Sequence, residues 1–291
     1  MKCVSYNIQY GVGLDGKYDL ARIVDAVRGA DVICLQEVSR NLPTNKGVDM
    51  VAAISEALPD YYFVFGSNFD ANVGSHVGKD GRARTVMFQL GNMVLSKTPI
   101  HLSRNLLLPR YRSYDVMNFQ RGALEALINT DIGFVRFYST HLDHRSPQER
   151  LAQLRFLKER VLGAPLEGMA LSGMASAGFP EPPIPEDFVV MGDFNMLEGS
   201  LEYDDACGAP DHEFGQPLLA NMFADAAARL FKPGERPATW VDPADPADVT
   251  RHKRIDYVFT NAALVKSVKR LWVDDKAVGS DHLPVWVELT R

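Results

Sequence analysis

Apolar residues in this chain fall into short runs that suit strands and into stretches with helical spacing, divided by Gly, Pro and Asx clusters. Lys2–Ile8 reads as the first strand. Asp19 then stands as an N-cap before Leu20, Ile23, Val24 and Val27, spaced i, i+3, i+4, i+7, with Gly29 as the stop. Val32-Ile33-Cys34-Leu35 is a continuous apolar run, as expected of a strand covered on both faces. A second helix is predicted over Val48–Leu58, ended by Pro59. A strand at Tyr61–Gly66 and a Gly- and Asn-rich loop from Gly66 to Arg84 follow. Further strands are predicted at Met93–Ser96, Gly122–Asn129, Gly133–Thr140 and Phe188–Met191. Asp131-Ile132-Gly133 turns a hairpin between the second and third of these.

The clearest helix lies between Thr140 and Phe188. Ser146-Pro147-Gln148-Glu149 has the form of a capping box with proline at the first helical position, and Leu151, Leu154, Leu157 and Val161 form the apolar stripe. Residues 163–187 are low in charge and rich in Gly, Ala, Ser, Met and Pro, which predicts a surface insertion tolerant of deletion. An irregular acidic stretch is expected over Leu201–Gln216, a helix around Leu218–Leu230, and a Pro/Asp-rich loop to Thr250. Strands at Ile255–Thr260, Val265–Trp272 and Leu283–Leu289 close the chain. No stretch has the composition of an interdomain linker, so residues 1–291 are expected to form one domain. Strands outnumber helices and several pair as hairpins. That favours a mixed sheet or sheet-on-sheet core with outer helices over a Rossmann fold.

Composition changes this picture little. A hydrophobic content of 46% and a charged content of 23% are those of an ordinary globular protein. The net charge of −6 argues against a scaffold that coats nucleic acid nonspecifically, although Arg82, Arg84, Arg110, Arg112 and Arg121 could line a local basic groove. Cys3, Cys34 and Cys207 are an odd set without metal-ligand spacing, which suits free thiols in a reducing compartment. With no signal-peptide pattern and no apolar run near the roughly 18–20 residues of a membrane span, a cytoplasmic protein without membrane insertion is expected.

Candidate chemistry gathers where apolar runs give way to polar residues. Gly192-Asp193-Phe194-Asn195 closes the run Phe188–Met191, and in an extended segment Asp193 and Asn195 face the same way. Such a pair can hold a water with the carboxylate and a phosphate oxygen with the carboxamide. Asn7 follows the first strand, Gln36-Glu37 the second, and His141 the run Tyr138-Ser139-Thr140. Asp256 lies within Arg254–Phe259, and Asp281-His282 precedes the last strand. Phosphate-ester hydrolysis needs a positioned water, neutralised equatorial oxygens and a stabilised leaving oxygen, and these residue types supply all three. A hard cation such as Mg²⁺ takes oxygen ligands and keeps several waters, so one or two carboxylates suffice, with Glu37 the best placed.

In chain order, Ser5-Tyr6-Asn7, Leu35-Gln36-Glu37, Thr140-His141-Leu142, Gly192-Asp193-Phe194-Asn195, Arg254-Ile255-Asp256-Tyr257 and Ser280-Asp281-His282-Leu283-Pro284 resemble the motifs of the endonuclease/exonuclease/phosphatase family, the deoxyribonuclease I-like fold. The resemblance spans residues 5–285. It implies a four-layer α-β-β-α sandwich, two mixed β-sheets face to face with helices outside, and one Mg²⁺ site, with Mn²⁺ as an alternative. Glu37, Asn7 and Asp281 would attend the metal, Asn7 by orienting Glu37 or by direct contact. His282 would pair with Asp256, and either that dyad or Asp193 would activate the water. Asn195 would bind a phosphate oxygen, and His141 would stabilise the transition state or assist the leaving group. Asn92 and Arg121 also match family positions for substrate phosphate, with bracing of the sheet edge an equal reading of Arg121. His76, Asp143 and His144 are expected near the mouth of the site, His76 and His144 as solvent or substrate-loop residues.

The abasic-site endonuclease branch carries Asp or Asn where this chain has Gln9, and tyrosine where it has His141. The resemblance is therefore greater to the histidine-bearing branches. Nucleic acid and a small phosphorylated or lipid molecule stay open as substrates, and no protein partner is implied. The reading from another class is a non-catalytic binding or scaffold protein that keeps the fold. Its mark would be loss of Glu37, Asp193, Asp256, Asp281 or His282, and all five are present.

Overall fold

A computed structural model describes residues 1–291. The first half of the chain forms β1 (Lys2–Asn7), α1 (Leu20–Val27), β2 (Val32–Arg40), α2 (Met50–Ala57), β3 (Tyr62–Asn72), the short β4 (His76–Val77) and β5 (Ala83–Arg84), β6 (Met87–Ser96), β7 (Ile100–Leu107), β8 (Gly122–Thr130) and β9 (Gly133–His141). Then come α3 (Pro147–Glu167), β10 (Phe188–Asp193), α4 (Leu201–Cys207), β11 (Ala224–Asp225), α5 (Ala226–Leu230), β12 (Asp256–Thr260), β13 (Val268–Val273) and β14 (Val285–Leu289).

The strands build two six-stranded mixed sheets, ordered β13-β14-β1-β2-β6-β3 and β11-β12-β10-β9-β8-β7. Each has one parallel pair at its centre, β1 with β2 and β9 with β10, flanked by antiparallel neighbours. The period-two alternation of each strand divides its side chains between two environments. Cys3, Cys34 and Val94 meet Leu124, Phe137, Val189 and Met191 in the layer between the sheets. Val4, Tyr6, Ile33 and Leu35 face the other way, onto Ile23, Val24 and Val27 of α1 and Val51 and Ile54 of α2. Tyr138, Val190 and Phe259 do the same against Leu154, Leu157 and Val161 of α3 and Tyr203 and Ala206 of α4. The result is the α-β-β-α sandwich of the deoxyribonuclease I-like fold.

Asp19 and Ser146 cap as the sequence predicts, whereas Asp49, expected inside the second helix, proves to be its cap. Asp19 accepts from Ala21 N, Asp49 from Ala52 N and Ser146 from Glu149 N. The capping box is only half formed, because Glu149 turns its carboxylate to Tyr111 N and Asn118 Nδ2. The orphaned Ser146 N donates to Asp143 Oδ2 instead.

Several boundaries differ from expectation for tertiary reasons. The stretch expected as a loop from Gly66 continues β3 to Asn72, because pairing with β6 runs on to Met87, and β4 and β5 then form a small hairpin. β7 has too many polar residues to read as a strand, yet it is the edge partner of β8. The helix expected at Leu218–Leu230 shortens to α5, because Ala224 and Asp225 pair with β12 and Asp225 caps Ala227 N. Part of the expected acidic irregular stretch is α4, capped by Ser200 with Glu202 and Asp204 in its first turn. The strand expected from Val265 starts at Val268, after a 3-10 turn at Leu264–Ser267. Finally, α3 runs into the expected insertion as far as Glu167. The irregular chain beyond it is tied down at both ends, by Arg104 donating to Met169 O and by the buried Arg136 donating to Pro185 O and Glu186 O.

Candidate active site

The inward-facing columns of the central strands grow polar toward one end of the sandwich. Cys3, Ser5 and Asn7 succeed one another on β1, Cys34 and Gln36 on β2, Phe137, Ser139 and His141 on β9, and Val189, Met191 and Asp193 on β10. Register brings the column ends together in pairs, Asn7 beside Gln36 and His141 beside Asp193. Below them Gln36 Nε2 donates to Ser139 Oγ at 2.9 Å and Ser139 Oγ donates to Leu35 O at 3.0 Å, so the polar end stitches the sheets to each other. Asn7 then spans the gap, with Nδ2 3.0 Å from Asp193 Oδ2 and 3.4 Å from Glu37 Oε1.

Glu37 arrives by another route. By alternation it should point toward α1 and α2, like Leu35. Between Leu35 and Val38, however, β2 has one residue more than the facing stretch of β6, and Glu37 takes φ +59. This bulge re-aims the carboxylate into the site, at the cost of about 1 kcal/mol or more of backbone strain. Its Oε1 lies 3.8 Å from His141 Nδ1. The Tyr10 hydroxyl is held in its protonated form by burial and by the nearby Glu37.

Gly192 sets the position of Asp193. A Cβ there would lie 1.9 Å from Thr140 O, so only glycine lets β9 and β10 approach so closely just before their last residues. Asp193 and Asn195 meet in one place, although not by continued extension. Asn195 N donates to Asp193 Oδ1 at 2.9 Å, and Asn195 is left-handed at φ +51. This Asx turn aims Asn195 Nδ2 at His141 Nε2, 3.2 Å away.

His282 and Asp256 form the expected pair, with His282 Nδ1 donating to Asp256 Oδ2 at 2.9 Å. Two residues that the sequence did not single out hold the acids. Thr239 Oγ1 donates to Asp256 Oδ2 at 2.7 Å while accepting Ile255 N and Asp256 N. Trp240 Nε1 donates to Asp281 Oδ2 at 3.0 Å. Backbone bonds from Thr239 and Trp240 to Lys253 and from Val241 to Asp281 bring the loops carrying both acids together.

The electrostatics follow from burial. Asp193 is 2% exposed. Burial, reinforced by Asp256 and opposed by His282, raises its carboxyl to about 7. Burial pushes the His282 imidazolium down, but Asp256 and then Asp193 outweigh it and raise the group to about 10. Burial also raises Glu37, with Asp281 adding to the effect against the pull of His282 and Arg121. His141 is driven well below the ordinary histidine range by burial and then by Arg121, and so stays neutral. Arg121, only 2% exposed, places Nη1 2.8 Å from His141 Nε2 and Nη2 3.0 Å from His144 Nδ1, while its Nε has no partner.

The sheet ends thus gather Asn7, Glu37, His141, Asp193, Asn195, Asp256, Asp281, His282 and Arg121 in one cluster. Asn92 is fully buried and donates to Gly122 O, a bond that braces β8, while its Oδ1 has no partner. His76 lies on the exposed β4–β5 hairpin, whereas His144 reaches the cluster through Arg121. Asp193, Asp256 and His282 offer ligand atoms within 4.8 Å of one another, a set that could hold a metal ion. Tyr10, Thr239 and Trp240 lie in segments without periodicity, where nothing in the sequence marks them. A cavity of about 610 Å³ opens beside Asn195 and His282. Another, of about 540 Å³, lies between α4 and α5 and contains none of the cluster.

Fold and site together define a deoxyribonuclease I-like sandwich with a cluster of acids, imidazoles and amides at the ends of both central strand pairs. The chain belongs to the Endonuclease/Exonuclease/phosphatase family, whose profile matches residues 4–282. That family includes phosphoesterases. No curated protein matches the chain at the sequence level. Among solved structures, it is similar to an endonuclease/exonuclease/phosphatase from Beutenbergia cavernae, at 22% identity and a TM-score of 0.67 over 99% of this chain and 70% of that one. It is also similar to D. rerio TDP2 complexed with single strand DNA product, at 16% identity and a TM-score of 0.62 over 100% and 99% of the two chains. A mannosyl-6-phosphatase from Bacteroides thetaiotaomicron matches at 17% identity and a TM-score of 0.58, over the whole of both chains. At these identities the likeness concerns the fold. No helix is long and apolar enough to cross a membrane.

Proposed function

We propose that the chain hydrolyses a phosphate ester by attack of an activated water, with a divalent cation, Mg²⁺ or alternatively Mn²⁺, held by Glu37 and Asp281. The donor set fits such a cation. Two carboxylates share a largely enclosed site, where burial first, with Asp281 adding to it, raises Glu37. Asn7 supports the same site by orienting Glu37 through its amide nitrogen, since its Oδ1 is turned to Gln9 N at 3.1 Å. When bound, the cation would supply charge neutralisation for the phosphoryl oxygens.

The observation that carries the reading is the environment of Asp193 Oδ2. It lies 3.0 Å from Asn7 Nδ2, 3.3 Å from His141 Nε2 and 3.6 Å from His282 Nε2. A carboxylate so surrounded can hold a water and take its proton, and a group titrating near neutrality suits that exchange. His282 in its deprotonated form is the rival base, with Asp256 fixing its tautomer and Thr239 fixing Asp256. Neutral His141 accepts at Nε2 from Arg121 Nη1 and Asn195 Nδ2 and so carries its proton on Nδ1, on the Glu37 side. These three residues form the wall that would meet the oxygens of a transferring phosphoryl group. Nucleic-acid strands, lipids and small metabolites all carry such an ester. The three free, buried cysteines support the cytoplasm as the proposed location, and residues 1–291 are proposed to act as one unit.

The test is Glu37→Ala, assayed by calorimetry with Mg²⁺ or Mn²⁺ and by hydrolysis of bis-p-nitrophenyl phosphate with and without chelator. The expected variant is folded, binds no metal and has lost metal-dependent turnover. Unchanged turnover would sink the metal assignment.

A further inference from the structure

The cavity beside Asn195 and His282 carries more positive charge than a single phosphate ester needs. Its far wall holds Arg145, Arg150 and Lys253. Arg150 is neutralised by Glu202, at 3.0 Å. Arg145 and Lys253 have no carboxylate partner within ion-pair distance, and both are exposed to the cavity's mouth. The Lys253 ammonium rests 5.0 Å from the centre of the Trp240 ring, which limits its wandering and leaves its donors free.

His144 shows the same excess of donors. Arg121 Nη2 points at its Nδ1 from 3.0 Å and Arg145 Nε at its Nε2 from 2.9 Å. A neutral imidazole has one acceptor nitrogen, so the two guanidinium groups cannot both be satisfied by it. One N–H is left facing the ring's own N–H. Pro147, the first residue of α3, lines the same cavity, so the positive pole of a 21-residue helix faces it. Cations without counter-charges, donors without acceptors and a helix N-terminus all converge on one space. Such a space takes an anion.

We infer that this cavity binds a second anionic group of the substrate, held by Arg145 and Lys253 while the reacting phosphate lies at Asn195 and His282. The inference rests on the phosphoesterase reading above and narrows it to one substrate class, small phosphate esters that carry a further phosphate or carboxylate. The cavity has the size of a metabolite pocket. A polynucleotide would need a continuous basic track. Here Glu202 closes the cavity beside Arg150 instead.

The experiment compares fructose 1,6-bisphosphate with fructose 6-phosphate, in the unmodified protein, in Arg145→Gln, in Lys253→Gln and in the control Arg229→Gln in the other cavity. With metal present, the readout is the ratio of kcat/KM for the two probes. A partly desolvated charge-assisted contact predicts that each cavity variant lowers this ratio about 10- to 100-fold and that the control leaves it unchanged. An equal loss on both probes, or no loss, overturns the inference. So does preferred hydrolysis of a single-stranded oligonucleotide that falls in parallel, because the cations would then follow a strand. A second arm titrates both sugars by calorimetry in chelator, where no turnover is needed. Tighter binding of the bisphosphate, lost in the double variant, supports the cavity assignment. Equal affinities, or no binding of either sugar, count against it. Discrimination in chelator without hydrolysis of any ester in metal would sink the phosphoesterase reading alone. Hydrolysis without discrimination would sink the cavity assignment alone.

Discussion

The two sheets share one pattern of pairing, a central parallel pair flanked by antiparallel neighbours, yet they deliver their polar groups to the site in different ways. In the sheet built on β9 and β10, pairing stays regular to the last residues, and His141 and Asp193 are simply the ends of inward-facing columns. In the sheet built on β1 and β2, regular pairing delivers Asn7 and Gln36, while Glu37 comes through a bulge and a left-handed backbone. Regular register costs nothing beyond the ladder itself. A bulge stores strain, and the strain persists because the flanking strands hold it. One sheet therefore offers groups whose position its fold prefers, and the other offers a carboxylate that its fold tolerates.

That contrast can be broken in order of effect. The largest change is expected from Asp193→Asn, which should lower metal-dependent kcat by about 10²- to 10⁴-fold while leaving calorimetric metal binding intact. Loss of metal binding in this variant would erase the division of labour between the sheets. Next is Gly192→Ala, where a methyl would meet Thr140 O. Denaturant unfolding should show a loss of about 3 kcal/mol, at the upper end of ordinary overpacking, and a loss under about 1 kcal/mol would mean that the two strands can part freely.

A pH series on the metal-free protein comes third. The raised Asp193 carboxyl contributes stability that is complete below its unfolded value near 4 and is lost as pH rises through about 7. The raised His282 contributes stability that is complete below about 6.5 and is lost as pH rises through about 10. Thermal melts in chelator should therefore fall from pH 4 to 10, and added Mg²⁺ should flatten the decline. A metal-free protein that gains stability from pH 5 to 9 would contradict both shifts. The smallest effect on stability belongs to Glu37→Gly. It should abolish turnover yet stabilise the metal-free protein by about 1 kcal/mol, since glycine adopts φ +59 without strain and a buried acid beside Asp281 is removed. Destabilisation would show that the bulge is relaxed.

The same contrast explains what was legible in the sequence. Alternation and strand ends gave away β1, β9, β10 and β12, and with them Asn7, His141, Asp193 and Asp256. Glu37 was found by its motif although its parity on β2 is wrong, because a bulge leaves no mark in periodicity. Asn195 was found on the premise of a continuing strand, whereas a left-handed Asx turn places it. Thr239, Trp240, Arg145 and Lys253 were not found. They sit in loops whose paths are set by pairing with distant segments, and local pattern cannot reveal a distant partner. The short α5 failed for a related reason, since pairing of Ala224 with β12 overrode helical spacing.

The pairing of β1 has a temporal side. β1 emerges before both its partners during synthesis and pairs with β2 at once in sequence terms, but its other edge waits for β14, which follows Asp281 and His282. Until those residues arrive, Lys2–Ser5 present an open strand edge beside a largely built sheet, and the cluster lacks both an acid and an imidazole. Completion of the polar cluster and closure of the edge coincide, and both depend on contacts of great sequence separation. A chain released before Val285 should be inactive and prone to self-association, and light scattering of such a fragment against the full chain would reveal it. A quality-control step is thereby written into connectivity, because no partly made copy can have an active site and a hidden edge apart from each other.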